Sequence, residues 1–171
     1  WLANQGFLVG VNLMQISERN EREVTRFAET AQKWPVDVLY FADSMGALTV
    51  SELNKVVTTI KASWKGAIGI HAHDNLGLAL QNTITAMSNG VTWLDATITG
   101  IGRGPGNTYL EELLIELETP VERNADLKPL FGLIDKSFKE LKLSYGYGKN
   151  LFYYLAGKHR IHPTYIQEML Q

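Results

Sequence analysis

Ala67-Ile68-Gly69-Ile70-His71-Ala72-His73-Asp74 reads as a short buried strand that ends in two imidazoles two residues apart. Side chains of a strand alternate between its faces, so His71 and His73 project from one side while Ile68 and Ile70 pack on the other. Two neutral imidazoles on one face can reach a single divalent cation and leave positions for a carboxylate, water or substrate. A lone histidine here would be read as a packing residue. A same-face pair at a strand end, followed at once by Asp74 and Asn75, reads as a metal clip.

Outward from this strand the same unit recurs. Apolar, β-branched or aromatic stretches run from Phe7 to Met14, Val36 to Ala42, Ala67 to His73 and Val91 to Ile98, and each is followed by a helical pattern. In the first helix Val24, Phe27, Ala28 and Ala31 recur at i, i+3, i+4 and i+7, which marks a buried face, with Ser17 as the cap and Pro35 at the entry to the next strand. Thr49 and Glu52 form a capping box for a helix that buries Leu53, Val56, Val57 and Ile60. Leu78, Ile84 and Met87 mark a third helix, closed by Asn89-Gly90, and Asn107 to Glu118 a fourth.

Strand followed by helix, four times, predicts a parallel sheet with right-handed crossovers. A doubly wound sheet is the default for a chain this short, but there the strands lead into phosphate loops or a switch-point crevice. Here polar residues gather at the C-terminal end of every strand: Asn12 and Gln15, Asp43 and Ser44, His71 and His73, Asp95 and Thr97 to Gly102. A (β/α)8 barrel carries its chemistry on that face and needs roughly 250 residues. The expected fold is therefore α/β, the C-terminal half of a TIM barrel followed by a helical tail. Residues 1–122 would form the half-barrel with the metal-binding catalytic region, and residues 123–171 the extension. In the extension Leu130 to Leu143 reads as an amphipathic helix and Ser144 to Gly148 as a flexible break. Leu151 to Ala156 reads as an aromatic helix that packs on the barrel or on a neighbouring subunit. His159 and His162 read as surface or packing residues.

Composition narrows the function. With 45% hydrophobic and 20% charged residues the chain can build a core. Its net charge of −2 and scattered basic residues recommend neither a nucleic-acid nor an anionic-membrane surface. No apolar run approaches a bilayer span and the start lacks the pattern of a secretory signal. The absence of cysteine excludes disulfide and thiolate chemistry and suits the cytoplasm. A start at Trp1, directly before an apolar strand, leads us to expect an upstream part.

Thr99-Gly100-Ile101-Gly102-Arg103-Gly104-Pro105-Gly106-Asn107 places four glycines in seven positions ahead of a helix. It lacks the Lys-Ser/Thr ending of a P-loop and the spacing of the dinucleotide fingerprint. A mobile loop that closes over substrate and excludes water is the expectation.

Taken in order, Phe41-Ala42-Asp43-Ser44-Met45-Gly46-Ala47, His71-Ala72-His73-Asp74-Asn75-Leu76-Gly77-Leu78-Ala79 and the glycine loop before Leu110-Glu111-Glu112 give the chain a clear resemblance. It resembles the DRE-TIM metallolyase (HMGL-like) superfamily, which includes 4-hydroxy-2-oxovalerate aldolases, hydroxymethylglutaryl-CoA lyases, and isopropylmalate and homocitrate synthases. The resemblance runs to about Glu118. It implies that His71 and His73 bind a divalent metal, Mn²⁺ or Mg²⁺, with Asn107 as a ligand or supporting group. The family's metal-binding Asp and its neighbouring Arg lie on a first barrel strand that this sequence does not contain. The lyases acting on hydroxymethylglutaryl-CoA use a loop cysteine that is missing here. The tail, with Gly146-Tyr147-Gly148 leading into an aromatic helix, is most similar to the aldolases, in which a tail tyrosine acts in catalysis. That implies a catalytic Tyr147, with Tyr145 second. Ser44 is implied as a substrate-carboxylate contact, with Asp43 orienting its loop.

The implied reaction is cleavage of a 4-hydroxy-2-oxo acid to pyruvate and an aldehyde through a metal-stabilised enolate. The implied partners are the small-molecule 2-oxo acid, a second copy of the chain and, as in some aldolases, an aldehyde dehydrogenase. Two alternatives stand beside it. One is a Claisen-type synthase acting on a 2-oxo acid and an acyl-CoA, suggested by the Thr99-Gly100-Ile101-Gly102 run. The other is a non-catalytic, self-associating half-barrel, since four strands alone leave two open edges and an apolar face. The 171 residues by themselves are expected to be inactive.

Overall fold

The computed structural model describes residues 1–117 and 126–170. Four parallel strands, β1 (Gly10–Leu13), β2 (Val38–Asp43), β3 (Ala67–Ala72) and β4 (Trp93–Leu94), lie in the order β1-β2-β3-β4. They alternate with α1 (Glu21–Ala31), α2 (Val50–Ser63), α3 (Ala79–Ser88) and α4 (Leu110–Leu117). In register, Leu13, Phe41, Ile70 and Leu94 line up across the sheet, as do Val11, Leu39 and Ile68. These residues form one core with Val24 and Ala28 of α1, Leu53, Val57 and Ile60 of α2, and Ala79 and Ala86 of α3. Each fully buried Leu, Ile or Phe contributes roughly 1.5–3 kcal/mol. A strictly sequential strand order with the helices on one face is that of consecutive barrel units, whereas a doubly wound sheet reverses its order and carries helices on both faces. The half-barrel expectation holds.

The other face of the sheet carries the aligned row Asn12, Tyr40, Gly69 and Trp93, followed by Ala42 beside His71. Asn12 and Trp93 are exposed and Tyr40 is half-buried. Gly69 is needed here because a Cβ would come within 2.5 Å of the Tyr40 ring.

Several local expectations need correction. β1 starts at Gly10, not Phe7, because pairing begins where the Asp37 carboxylate and N–H take the Val9 N–H and carbonyl, leaving Phe7 and Leu8 exposed. β4 is only two residues long, because the chain turns into a 3₁₀ turn over Ile98–Gly100. The cap of α1 is Asn20, not Ser17. Asn20 Oδ1 accepts from Glu23 N–H at 3.0 Å and Glu23 returns the bond to Asn20 N–H at 2.9 Å. Phe27 of α1 is exposed rather than buried. α2 carries the expected Thr49–Glu52 capping box, and Asn89 and Gly90 close α3 as expected. α3 buries Ala79, Asn82, Thr83 and Ala86 rather than its larger Leu78, Ile84 and Met87. Small and polar side chains let it approach closely, with Asn82 Nδ2 donating to Leu48 O and Thr83 Oγ1 bonded to Thr108 Oγ1.

The tail comprises α5 (Lys128–Leu133), a π-helical stretch at Ile134–Phe138, α6 (Lys139–Tyr145), α7 (Leu151–Lys158) and α8 (Pro163–Leu170). The expected domain boundary at 122/123 and the end of the fourth helix at Glu118 lie outside the described residues. The expected flexible break is instead docked: Tyr147 is buried and Gly148 N–H donates to Gly104 O at 2.8 Å. α7 is fastened to the loop after β3 by Asn75 Nδ2, which donates to Tyr153 O. Arg160 donates to Ser17 O and pairs with Glu52. Among the described residues no helix is long and apolar enough to cross a membrane.

Candidate metal centre

His71 is the penultimate residue of β3 and His73 lies just past its end, and the two rings stand edge to face with centroids 5.1 Å apart. Each ring is held through Nδ1. His71 Nδ1 lies 3.2 Å from Asp95 Oδ2 just beyond β4, and His73 Nδ1 lies 3.1 Å from Gly106 O in the glycine loop. A carboxylate and a carbonyl only accept, so both rings carry their proton on Nδ1 and present an Nε2 lone pair. Burial, and next the neighbouring His71 ring, push the His73 imidazole down to about 4, so it is neutral at physiological pH.

Asp95 serves two groups. It also accepts from Tyr40, whose phenol is pushed up to about 12 by burial and then by the Asp95 charge. Gly106 takes φ +84°, and a Cβ there would lie 2.5 Å from Gly100 O. Only glycine lets this carbonyl serve both His73 and Asp74 N–H, which donates to it at 3.0 Å.

Asn107 sits opposite His73 in an isolated antiparallel bridge, not at the start of a helix. Its Nδ2 donates to Ile101 O at 3.0 Å, while its Oδ1 is buried without a hydrogen-bond partner. A buried amide oxygen lacking a donor, next to two imidazoles with bare Nε2 atoms, is a fitting donor set for a hard or borderline divalent cation. Among the described residues no three His, Cys, Asp or Glu side chains cluster into a complete ligand set.

Ser44 is buried at the end of β2, its Oγ accepting from Gln15 N–H at 3.1 Å and its carbonyl accepting from Arg103 Nη2 at 3.4 Å. Asp43 lies on the helix side of the sheet, in register with Ala72, and its carboxylate accepts from Ala47 and Leu48 N–H. It orients the loop rather than facing the imidazoles. Tyr147 is placed against the glycine loop, its hydroxyl 2.5 Å from Thr99 Oγ1. Thr99 commits its proton to Ile98 O, so the phenol donates. Tyr145 is exposed. The glycine loop, expected to be mobile, is pinned by Asn107 N–H to Gly100 O, Gly106 N–H to Arg103 O, and Thr99 N–H to Glu111.

Sequence reasoning places His71, His73, Asn107 and the glycine loop together, and the structure brings them together. It misses the anchoring roles of Asp95, Tyr40 and the Gly106 carbonyl. The signal for Asp95 and Tyr40 is strand register, which brings Asp95 beside His71 and sets Tyr40 beside Gly69, one same-face position before His71.

The HMGL-like family model matches residues 3–134. A 4-hydroxy-2-oxovalerate aldolase of Brevibacillus brevis is 33% identical over 135 residues, covering 78% of this chain and 38% of that protein. The enzyme of the same name from Thermus thermophilus is 34% identical over 139 residues, covering 78% and 39%. The chain thus spans under two-fifths of these curated relatives. Among solved structures, the N-terminal domain of a protein from Bacteroides vulgatus described as an aldolase superposes with a TM-score of 0.88 at 33% identity, covering 99% of this chain and 56% of that one. The HMG-CoA lyase of Bacillus subtilis, at 22% identity, shares the fold with a TM-score of 0.72 over 85% of this chain and 52% of its own. With its four parallel βα units, its paired imidazoles and a family match over most of its length, this chain belongs to the HMGL-like family.

Proposed function

We propose that the full-length protein is a divalent-metal-dependent aldolase that cleaves a 4-hydroxy-2-oxo acid to pyruvate and an aldehyde. The observation that carries this is the pair of neighbouring imidazoles, each tied down through Nδ1 and each left with a bare Nε2. The names of the relatives support the reaction class. His71 and His73, with Asn107 Oδ1 as a further donor, would hold a Mg²⁺ or Mn²⁺ ion, which when bound would supply Lewis-acid polarisation of the 2-oxo carbonyl.

The chain's own residues do the rest. Asp95 and the Gly106 carbonyl fix the tautomer and orientation of the two rings. Ser44, whose Oγ accepts from Gln15 N–H, keeps its own proton for a substrate carboxylate oxygen. Tyr147, hydrogen-bonded to Thr99, is the proposed catalytic proton carrier between substrate oxygen and the loop. The 4-hydroxyl proton leaves by way of the Tyr147 hydroxyl as the C3–C4 bond breaks, which releases the aldehyde and leaves pyruvate enolate, and a proton taken up at C3 restores the balance. Residues 1–122 carry the proposed metal site and the carboxylate contact. The 123–171 extension supplies Tyr147, and an aldehyde dehydrogenase is the proposed partner that takes up the aldehyde. We place the protein in the cytoplasm as a homo-oligomer, and the 171 residues alone as inactive, because two imidazoles and an amide are only part of a ligand set.

The test is pyruvate release from 4-hydroxy-2-oxo acids by full-length protein with Mn²⁺, followed with lactate dehydrogenase. His71→Ala and His73→Ala should each abolish it and chelation should do the same. Turnover that survives chelation and both substitutions overturns the proposal. Thiol release from acetyl-CoA and a 2-oxo acid, without pyruvate release, assigns the synthase chemistry instead.

A further inference from the structure

Arg103 is the one charged side chain in the glycine loop Thr99–Asn107, and its placement is unusual for a residue on a loop crest. The loop follows β4, yet the Arg103 guanidinium donates to the carbonyl of Ser44 at the end of β2. β3 lies between those two strands in the sheet. The loop folds back to β3, where the Gly106 carbonyl and Asn107 meet His73, so Arg103 lies at the C-terminal ends of β2 and β3, on the side of the imidazoles. That single bond, at 3.4 Å, is long and uses one of five donors. Among the described residues no carboxylate forms a salt bridge with it. On the tail side it borders a cleft of about 370 Å³ whose other walls include Tyr147, Tyr153 and Gln167, none of which carries an anion. His162, from the tail, has its imidazole held down by burial and then by the Arg103 charge.

A guanidinium held loosely over a two-imidazole centre, beside a buried serine and without an anion of its own, has the chemistry of a carboxylate receptor. We propose that Arg103 is a substrate-binding residue that clamps the carboxylate of the 2-oxo acid, exchanging its long bond to Ser44 O for a two-pronged pair with both carboxylate oxygens. This rests on the aldolase reading above and adds the residue that recognises the acid end of the substrate. A pinning role for the loop is the competing explanation, and the two separate by ligand. The loop's own integrity is read by Mn²⁺ affinity, because Gly106 O of the same loop anchors His73.

The experiment is calorimetric titration of Mn²⁺-loaded full-length protein with pyruvate and with methyl pyruvate, its uncharged ester. Arg103→Met, which keeps most of the stem, should weaken pyruvate about 10- to 100-fold and leave methyl pyruvate and Mn²⁺ binding unchanged. Arg103→Lys should restore the charge and only part of the affinity, and free guanidinium ion should partly rescue Arg103→Met. Equal loss for acid and ester, or no loss for either, overturns the proposal while leaving the aldolase reading intact. A wild-type protein that binds Mn²⁺ but no pyruvate overturns both. Loss of Mn²⁺ binding in Arg103→Met assigns the residue to loop support and overturns the clamp.

Discussion

Gly106 and Asp95 do for the histidines what the proposed metal ligation requires: they fix which nitrogen carries the proton. Replacing Asp95 with Asn removes the acceptor charge behind His71 and should cut Mn²⁺ affinity about 10- to 100-fold in a calorimetric titration, with little change in secondary structure. Gly106→Ala forces an L side chain into φ +84° and against Gly100 O. It should cost about 1–3 kcal/mol in urea unfolding and also weaken Mn²⁺ binding, because the displaced carbonyl is the one that holds His73. A Gly106→Ala protein of wild-type stability and metal affinity would contradict this. At this scale the His71–His73 pair is legible in the sequence, since strand alternation alone puts both rings on one side. Asp95 and Tyr40 are not legible as anchors, because their relation to His71 is set by register between strands, which a single sequence leaves open. Tyr147 is a further case: its position in a glycine-flanked turn marks it as special, but its bond to Thr99 comes from tail docking that no local pattern encodes.

One of the contacts that hold the tail to the barrel units is electrostatic. Arg160, at φ +54°, reaches both Ser17 O and the Glu52 carboxylate at the start of α2. Burial pushes Glu52 up, but the N–H and hydroxyl of Thr49 and the Arg160 guanidinium together hold it below the ordinary glutamate range. A carboxyl held low in the folded state contributes stability that is complete above its unfolded value, roughly 4.3, and is lost as pH falls through its folded value. Amide exchange in α7 and α8, taken relative to each amide's intrinsic rate, should therefore quicken on acidification below the ordinary glutamate range. Arg160→Ala should quicken it already at neutral pH while leaving β3 protected. Tail exchange that is insensitive to both would show that the Asn75–Tyr153 hydrogen bond and the burial of Tyr153 suffice alone. Element boundaries follow the strength of their local signals. The Thr49–Glu52 box is legible and correct. Asn20-x-x-Glu23 carries the same box, whereas Ser17 has no Glu or Gln three residues on, which is why the cap lies at Asn20. The short β4 is illegible because an apolar run from Val91 does not reveal the turn imposed at Thr99.

For the whole molecule, the half-barrel follows from polar residues collecting at one end of every strand, and the structure bears this out in its sequential, one-faced sheet. That architecture leaves Asn12, Trp93 and the imidazole row on a face with exposed members. Expressed alone, the 171 residues should self-associate in sedimentation experiments, and Trp93→Lys should shift them toward monomer. A monodisperse monomer would show that the face tolerates water. In the full-length protein the same face should surround the cation. Electron spin-echo modulation of bound Mn²⁺ reads that directly. Nitrogen modulation from two imidazoles, reduced to one in His73→Ala, is the result required by paired Nε2 donors. A bound Mn²⁺ without histidine nitrogen in its shell would contradict it.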